Sequence, residues 1–433
     1  MTPTHTKRPR FFLLAPDIFG STGGIQIYTG FLFKALQELY PHASYEVFLK
    51  YDHHSDIPNS QSKTQFHCFG QWPRWLQSVL LMLKIILLGI QRKPTLVIAT
   101  HLNYAIACDW LKRLTGIPYW VVVHGWEGWN LRHPLRQAAL RHANQVVAVS
   151  QYTRNRLLKE QPLAPGHVAV LPNTFLASKF QPRPKPAYLL KRYGLIADAP
   201  VIFTIGRLAR YKGYEQILQA LVEVRRYLPT VRYVLAGTGN LAGIRDLAVQ
   251  LGVEDALTLP GFIPDEELCD HYNLCDVFAM PSQGEGFGIV YLEALACGKP
   301  VLAGNRDGAI DPLVGGKLGC LVDPEDVAVI AQSLIQILRQ TYPNPVLYNA
   351  AALRQETIER FEFDQFRQTL ATLVQAEMQA KQPLYSHRHS VDPHNREMKT
   401  FMRSHIQRTP GLQGDEKQAQ CNLWRFLPQR DLQ

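Results

Sequence analysis

The sequence lacks the cysteine pattern of a disulfide-bonded protein. Its 433 residues contain seven cysteines, an odd number, and no two of them are spaced as Cys-x-x-Cys. Disulfide frameworks use even numbers of cysteines in short secreted chains, and Cys-x-x-Cys pairs mark metal or redox sites. We therefore expect reduced thiols and a cytoplasmic protein.

Long hydrophobic runs are also missing. After the basic segment 1–10, the apolar run Phe11–Ala15 is too short for the apolar region of a signal peptide. The longest apolar segment, Trp75–Ile90, has 16 residues and includes Lys84, whereas about 20 residues are needed to span a bilayer. The sequence therefore predicts a buried first strand at Phe11–Ala15 and no transmembrane segment.

The segment 72–93 around that run has two interpretations. It is apolar on nearly every helical face, and such a helix is either deeply buried or dips into lipid. Trp72, Arg74 and Trp75 at one end, with Arg92 at the other, are typical of an interfacial anchor. Burial and contact with the inner surface of a membrane both stay open.

Acidic residues are scarce in the first half of the chain. Residues 1–180 contain 19 Lys and Arg against 8 Asp and Glu, and the whole chain has a net charge of +10. Such asymmetry favours an anionic partner, which is an anionic lipid, an anionic acceptor molecule or a nucleic acid. No nucleic-acid-binding motif accompanies the charge, so we expect no nucleic acid partner.

Strand-length apolar runs alternate with amphipathic helical stretches along the chain up to about residue 380. Runs rich in Val, Ile and Leu that alternate with helices form parallel sheets covered on both faces. A proline-rich polar stretch, 172–186, separates two such series and is typical of a linker. The predicted fold class is α/β, with two Rossmann-like doubly wound domains facing across a cleft. Ligands of such sheets bind beyond the carboxyl ends of the strands.

The most informative segment is Ser282–Val301, where a glycine-punctuated loop leads into the predicted helix Ile289–Ala296. Glycines let a backbone approach a ligand closely, and free N–H groups at a helix start suit a phosphate. Over a continuous helix, Glu285 and Glu293 would lie roughly 12 Å apart along the axis. The paired acids of glycosidases are about 5 to 9.5 Å apart. We therefore interpret the two glutamates as contacts to different parts of one elongated ligand.

Cations and glycines lie at other predicted strand ends. Arg207 and Lys212 follow the first strand of the second half, where cations can neutralise a leaving diphosphate. His124 closes a strand of the first half directly before a glycine. The remaining positions of interest in strand-end loops are Gly23, Gly24, Gly237, Phe262 and Ile263.

The segment around Glu285 and Glu293 resembles the Glu-x7-Glu signature of the retaining glycosyltransferases of family 4, which have the GT-B fold of two Rossmann-like domains. The resemblance implies that Glu285 holds hydroxyls of the donor sugar and that Glu293 holds the nucleotide ribose. It also implies that the helix start at Gly286, Phe287 and Gly288 meets the diphosphate.

Other motifs extend this resemblance. The Gly-Arg-Leu-x-x-x-Lys-Gly pattern at 206–213 is similar to the family's diphosphate clamp and implies this role for Arg207 and Lys212. His124, in a His-Gly-x-Glu loop, is similar to the histidine that hydrogen-bonds the donor sugar. The same resemblance implies further contacts to the donor at Gly23, Gly24, Gly237, Phe262 and Ile263. Of these, Phe262 and Ile263 are expected to contact the nucleotide base.

The resemblance also divides the chain into domains. It implies an acceptor-binding domain at residues 1–173 and a nucleotide-sugar-binding domain at residues 174–363. A helix at residues 364–380 is expected to cross back to the first domain. Residues 381–433 are polar and without periodicity, which predicts disorder.

The implied activity is transfer of a sugar from a UDP- or GDP-sugar donor to a glycan or lipid-linked acceptor with retention of configuration, in polysaccharide or glycolipid biosynthesis. No Asp-x-Asp occurs in a suitable position, so we expect neither a metal nor a cofactor. A peripheral enzyme on the cytoplasmic face of a membrane would suit such an acceptor. Two alternatives stay open: a nucleotide-sugar epimerase of the same fold, and a non-catalytic nucleotide-binding scaffold.

Overall fold

A computed structural model describes residues 8–21, 23–57 and 63–380 of the chain, and its named strands form two parallel sheets. The predicted tail, 381–433, lies outside the described residues. In each half of the chain, strands and helices alternate along the sequence, as the predicted fold class requires. The predicted α/β fold class, with two Rossmann-like doubly wound sheets, is therefore confirmed.

The first sheet has seven strands in the order β3-β2-β1-β4-β5-β6-β7. Strands β3 and β7 were not predicted, since β3 carries polar residues and β7 has three residues only. The elements of this half are β1 (Arg10–Ala15), α1 (Gly24–Leu39), β2 (Ser44–Leu49), β3 (Thr64–Cys68), α2 (Arg74–Arg92), β4 (Leu96–Ala99), α3 (Ala105–Thr115), β5 (Tyr119–Val123), α4 (Pro134–His142), β6 (Gln145–Ala148), α5 (Gln151–Glu160) and β7 (Val168–Val170).

The second sheet has six strands in the order β10-β9-β8-β11-β12-β13. The helix predicted at Ile289–Ala296 is present with the same bounds. The elements of this half are α6 (Ala187–Tyr193), β8 (Val201–Ile205), α7 (Tyr214–Tyr227), β9 (Arg232–Ala236), α8 (Leu241–Gln250), β10 (Leu257–Gly261), α9 (Leu268–Leu274), β11 (Val277–Met280), α10 (Ile289–Ala296), β12 (Val301–Gly304), β13 (Cys320–Val322), α11 (Val327–Leu338), α12 (Ala350–Phe361) and α13 (Phe363–Ala380).

Strand β1 shows why these runs form buried parallel strands. Successive side chains of a strand point to opposite faces of the sheet. Phe11 and Leu13 accordingly join one hydrophobic cluster, and Phe12 and Leu14 join another. All four side chains are almost completely buried, because helices cover both faces of the sheet.

Helix α13 packs on the first sheet's side of the molecule. The Phe366 ring stands edge-on to Tyr28, with centroids 5.5 Å apart. The Trp120 indole nitrogen donates a 3.0 Å hydrogen bond to the Glu377 carboxylate. The helix that follows the second sheet thus completes the core of the first, and the predicted crossover helix is confirmed. The boundaries predicted at 173/174 and 363/364 stay predictions.

Helix α2 is longer than predicted, and its two long faces differ. At 19 residues it is long and apolar enough to cross a membrane by length and composition, so the prediction that the segment is too short was wrong by that measure. Leu81 and Ile85 on one face are buried in the core. Val79, Leu83 and Leu87 on the opposite face are exposed. Neither of the two sequence interpretations therefore describes the whole helix.

Candidate functional site

The two sheets approach each other where the loop after β5 meets the loop before α10. A Cβ atom on Gly286 would lie only 1.5 Å from the carbonyl oxygen of His124, so no side chain fits at this position. Thr153 donates a 3.4 Å hydrogen bond to the Gly286 carbonyl from the same side. Both loops stand at carboxyl ends of strands, where ligands of doubly wound sheets bind.

Lys212 and Glu285 form an ion pair at this place. Lys212 belongs to a single 3-10 turn, Arg210–Lys212, after β8, and Glu285 lies in the loop before α10. Each side chain is 14% exposed. Burial lowers the pKa of Lys212, the Glu285 carboxylate raises it, and the net pKa lies above the usual lysine value. The ammonium group is therefore charged and held within the site.

Arg207 stands beside this pair on the exposed side of the same loop. Its guanidinium donates a 3.4 Å hydrogen bond to the Tyr211 hydroxyl, and this bond is the main cause of its raised pKa. The predicted position Gly237 packs its Cα against the carbonyl oxygen of Gly206, where a Cβ would lie 1.7 Å away. The structure thus brings the loops after β8 and β9 together around two cations.

Asp307 is a site residue that the sequence analysis missed. It is fully buried and accepts 2.7 Å hydrogen bonds from the Ser282 hydroxyl and from the backbone N–H of Glu285. Burial raises its pKa to about 6, although hydrogen bonds from the Glu285 and Ala309 backbones oppose the shift. Asp307 thereby fixes the loop that carries Glu285. Its position shortly after β12, at a strand's carboxyl end, is the signal that could have identified it.

Helix α10 begins as predicted, but its glutamate is buried. Gly288 caps the helix with a φ of 85°, a conformation that favours glycine. Glu293 accepts a 2.6 Å hydrogen bond from the Tyr272 hydroxyl, and burial raises its pKa to about 7. Phe287 is buried too, with its ring edge-on to Phe361. The helical spacing calculated for the two glutamates does not apply, because Glu285 precedes the helix.

His124 is held in one orientation at the end of β5. Its Nε2 atom lies 2.8 Å from the Thr100 carbonyl oxygen and so donates to it. Burial lowers the pKa of His124 to about 4, and the bond to Thr100 only partly offsets this. The imidazole is therefore neutral near pH 7 and leaves Nδ1 as an acceptor. Glu127 holds the loop by accepting a hydrogen bond from the His124 backbone.

The two tryptophans of this loop have different environments. Trp129 is buried, and the Arg156 guanidinium lies 4.5 Å from its ring centroid. Trp126 is 61% exposed and lies 6.1 Å from the Tyr211 ring, between centroids. Trp126 alone of the two presents an accessible face for a sugar ring.

The other predicted donor positions lie in loops at carboxyl ends of strands. Gly23 caps α1 and Gly24 is its first residue, with open space around the Cα of Gly24. Phe262 is exposed and Ile263 is buried after β10. Their contacts with a donor, and those of Glu293, stay predictions. Among the residues described, no group of three or more His, Cys, Asp or Glu is arranged to hold a metal ion.

Two family models match the chain, one for each half. The model described as Glycosyltransferase Family 4 matches residues 22–175, and the model described as Glycosyl transferases group 1 matches residues 190–354. The gap between the two matches, residues 176–189, overlaps the proline-rich stretch 172–186. The second match includes every predicted site residue of the second sheet.

Curated relatives agree with these models. A GDP-mannose-dependent alpha-(1-6)-phosphatidylinositol monomannoside mannosyltransferase of Mycolicibacterium smegmatis is 35% identical over 276 residues, which are 60% of this chain and 70% of the relative. A D-inositol 3-phosphate glycosyltransferase of Thermobispora bispora is 32% identical over 206 residues, which are 45% of this chain and 48% of that relative. The chain thus spans about half the length of the second relative.

Solved structures show the same fold. The sucrose-phosphate synthase of Thermosynechococcus elongatus superposes with a TM-score of 0.73 at 19% identity, over 86% of this chain and 100% of that one. A likeness at this level of identity concerns the arrangement of the two sheets and their helices.

Proposed function

Since this chain belongs to the group 1 glycosyl transferases and is a GT-B glycosyltransferase that uses a nucleotide sugar, we propose that it transfers the sugar with retention of configuration to a lipid-linked or glycan acceptor. The ion pair between Lys212 and Glu285 is the observation that carries the proposal. This ion pair brings Lys212, a residue of the predicted diphosphate clamp, together with Glu285, the residue predicted to hold the sugar hydroxyls, at one largely buried position.

In the proposed reaction, the diphosphate of the donor binds the Lys212 ammonium and the Arg207 guanidinium. The N–H groups at the helix start after Gly286 complete the anion site. Such fixed donors stabilise the charge that develops on a leaving group, and they need no reorganisation during the reaction. Since the diphosphate competes with Glu285 for Lys212, donor binding frees the Glu285 carboxylate to accept hydrogen bonds from sugar hydroxyls.

His124 and Glu285 would then orient the sugar from both sheets. Neutral His124 accepts a hydrogen bond from a sugar hydroxyl at Nδ1, because Nε2 is occupied by the Thr100 carbonyl. The acceptor hydroxyl attacks the anomeric carbon from the face that the diphosphate leaves, the bond from that carbon to the diphosphate oxygen breaks, and the hydroxyl proton passes to the departing diphosphate. Attack from this face retains the anomeric configuration. The anomeric coupling constant of the first product, measured by NMR before mutarotation, tests retention directly.

The donor and its metal requirement form the first experiment. The Mycolicibacterium relative is named as GDP-mannose-dependent, whereas the solved structure of Anabaena HepE is a complex with UDP-glucose, so we expect a GDP- or UDP-sugar. Thermal unfolding is measured with GDP, UDP and ADP, each with Mg²⁺ and with EDTA. At about 100 times its Kd, a ligand adds roughly 2.7 kcal/mol to the free energy of unfolding. Stabilisation by one nucleotide in EDTA supports the metal-free clamp, and none with any nucleotide would contradict the proposed function.

We also propose that the enzyme is peripheral on the cytoplasmic face of a membrane, in glycolipid or polysaccharide biosynthesis. The exposed apolar face of α2 supports this, with Trp75 74% exposed at one end. Arg74 and Arg92 at its two ends, with Lys84 between them, suit anionic headgroups. Helix α2 would lie flat in the interface, since its other face belongs to the protein core.

A further inference from the structure

The start of helix α5 is bound by a carboxylate from the second half of the chain. Ser150 caps the helix by accepting a 2.9 Å hydrogen bond from the Thr153 N–H. The Tyr152 N–H instead donates a 3.0 Å hydrogen bond to the carboxylate of Asp311, which follows β12. The first turn of α5 has no acidic residue of its own, and a negative charge is favourable at a helix N-terminus. Asp311 supplies that charge from the other half.

Two further hydrogen bonds join the start of α5 to the second half. The Tyr152 hydroxyl donates to the Arg306 carbonyl oxygen over 2.6 Å, and the Thr153 hydroxyl donates to the Gly286 carbonyl oxygen over 3.4 Å. The Tyr152 ring stands edge-on to Trp129, with ring centroids 5.8 Å apart, so a residue of its own half holds it. Together with the carboxylate bond, two consecutive residues of α5 thus make three hydrogen bonds to the second half.

The segment that α5 contacts, residues 306–311, also holds the loop that carries Glu285. Asp307 accepts a 2.7 Å hydrogen bond from the Glu285 N–H, and the Gly308 N–H donates a 2.8 Å hydrogen bond to the Glu285 carbonyl oxygen. A Cβ atom on Gly308 would lie 2.2 Å from the Gly286 carbonyl oxygen, so the segment and the loop pack without room for a side chain. A displacement of segment 306–311 would therefore displace Glu285.

This series of contacts affects the two groups that are proposed to orient the donor sugar. His124 belongs to the first half and Glu285 to the second, so the distance between them depends on how the halves meet. The proposed diphosphate clamp does not depend on this distance, because Lys212 and Arg207 both lie in the second half. The contacts of α5 can therefore alter the sugar site and leave the clamp unchanged.

We propose that Asp311 and Tyr152 are positioning residues for the proposed sugar transfer. They set the distance between His124 and Glu285, and so they govern binding of the donor's sugar and not binding of its nucleotide. This inference rests on the proposed function, because it takes both of those groups as contacts of the sugar. Asp311 acts through the backbone of α5, and Tyr152 acts through segment 306–311. Neither side chain needs to touch the donor.

The test compares donors with and without their sugar on the full chain. Calorimetry gives the Kd of GDP and of GDP-mannose, or of UDP and of UDP-glucose, according to the nucleotide that stabilises the wild type. The ratio of the two Kd values isolates the contacts that the sugar makes. Urea unfolding of each variant shows separately whether the fold has been weakened.

Asp311→Ala should weaken binding of the nucleotide sugar about tenfold, the loss expected for a hydrogen bond to a charged group, and leave the nucleotide's Kd unchanged. Asp311→Asn keeps an oxygen that can accept from the Tyr152 N–H, so it should restore part of the affinity. Asp326→Ala is the matched control. The Asp326 carboxylate accepts a 3.0 Å hydrogen bond from the Val329 N–H at the start of α11, so this contact lies within the second half.

Tyr152→Phe removes the hydroxyl bond to the Arg306 carbonyl and keeps the ring. Because this bond is between neutral groups, its loss should weaken binding of the nucleotide sugar about fivefold. The control is Tyr188→Phe, which removes a 2.8 Å hydrogen bond from a hydroxyl to Asp270, between α6 and α9 of the second half. It should bind both ligands like the wild type.

The outcomes separate positioning from a purely structural contact. Weaker binding of the nucleotide sugar alone, with partial recovery in Asp311→Asn and no change in the two controls, supports the inference. Equal weakening of nucleotide and nucleotide sugar means that the contact only stabilises the fold, and it overturns the inference. Unchanged binding of both ligands in Asp311→Ala overturns it as well. A wild-type protein that binds neither nucleotide would instead count against the proposed function.

Discussion

The ammonium group of Lys212 and the carboxylate of Glu285 pair with each other between two loops that come from different strands of the second sheet. Asp307 fixes the position of the loop that carries Glu285, because its carboxylate accepts a hydrogen bond from the Glu285 backbone N–H. The pair is therefore positioned from both sides by buried groups. A site of this kind can exchange one anionic partner of Lys212 for another without moving its backbone.

Replacement of Lys212 by alanine should reduce kcat/KM by a hundredfold or more. The substitution removes a fixed cation from the leaving diphosphate, and one such donor is typically worth about 10²–10³ in rate. Arg210→Ala is the matched control. Arg210 lies in the same turn as Lys212, but it is exposed and pairs with Glu215. Kinetics with the nucleotide sugar that the binding screen identifies are the measurement, and near-wild-type activity of Lys212→Ala would remove this residue from the mechanism.

Replacement of Gly286 by alanine should abolish most activity and leave the fold intact. The added methyl group would collide with the His124 carbonyl, so the two loops must separate. Gly30→Ala serves as control, since a Cβ there meets nothing within 4 Å. Activity and urea unfolding are measured for both variants. An active Gly286→Ala enzyme would show that contact between these loops is unnecessary for the reaction.

Stability should decrease with rising pH because of Glu293. Its pKa is about 7 in the fold against 4.5 ordinarily, so the folded state keeps a proton that the unfolded chain has released. The free energy of unfolding therefore falls as pH rises from about 4.5 to about 7, by an amount on the order of 3 kcal/mol. Glu293→Gln should flatten this dependence in urea titrations at several pH values, whereas Glu266→Gln, at an exposed position, should not. Parallel curves for wild type and Glu293→Gln would refute the assignment.

Charged substitutions on the outer face of α2 should weaken membrane binding. Leu83→Glu and Leu87→Glu alter exposed side chains, so the fold should persist while each variant loses the burial of one apolar side chain in lipid, worth about 1.5–3 kcal/mol. Sedimentation with phosphatidylglycerol vesicles should show at least a tenfold loss for each, and Ile196→Glu, on an exposed position of the second half, should bind like wild type. A wild-type protein that does not sediment with vesicles would sink the membrane proposal.

Sequence patterns predicted the elements whose burial is uniform. Strand β1 was predictable because its continuous apolar run indicates a buried strand. Helix α10 was predictable because a glycine marks the place where the helical spacing stops. Strands β3, β7 and β13 were missed, because a five-residue polar run and two three-residue strands look like loops without their neighbours. For α2 the pattern alone could not show which face would be covered, because that depends on α3, which packs on it through Leu111 and Gly89.

The residues of the candidate site also divide into those that the sequence predicted and those that it did not. Lys212, Glu285 and His124 were predictable because motif residues sit at strand ends, and the structure brings them to one place. Asp307 was missed although it follows a predicted strand, because its hydrogen-bond partner, the Glu285 backbone N–H, lies in a loop 22 residues earlier that only the fold brings beside it.

The position of α13 has a consequence for how the protein is made. During translation, Tyr28 and Trp120 of the first half emerge long before Phe366 and Glu377, which contact them in the finished protein. The first half therefore cannot complete its own core as it leaves the ribosome, although domains usually fold in order of synthesis. A nascent chain stopped at β13 would leave the Tyr28 ring and the Trp120 indole without these two partners until α13 has been made.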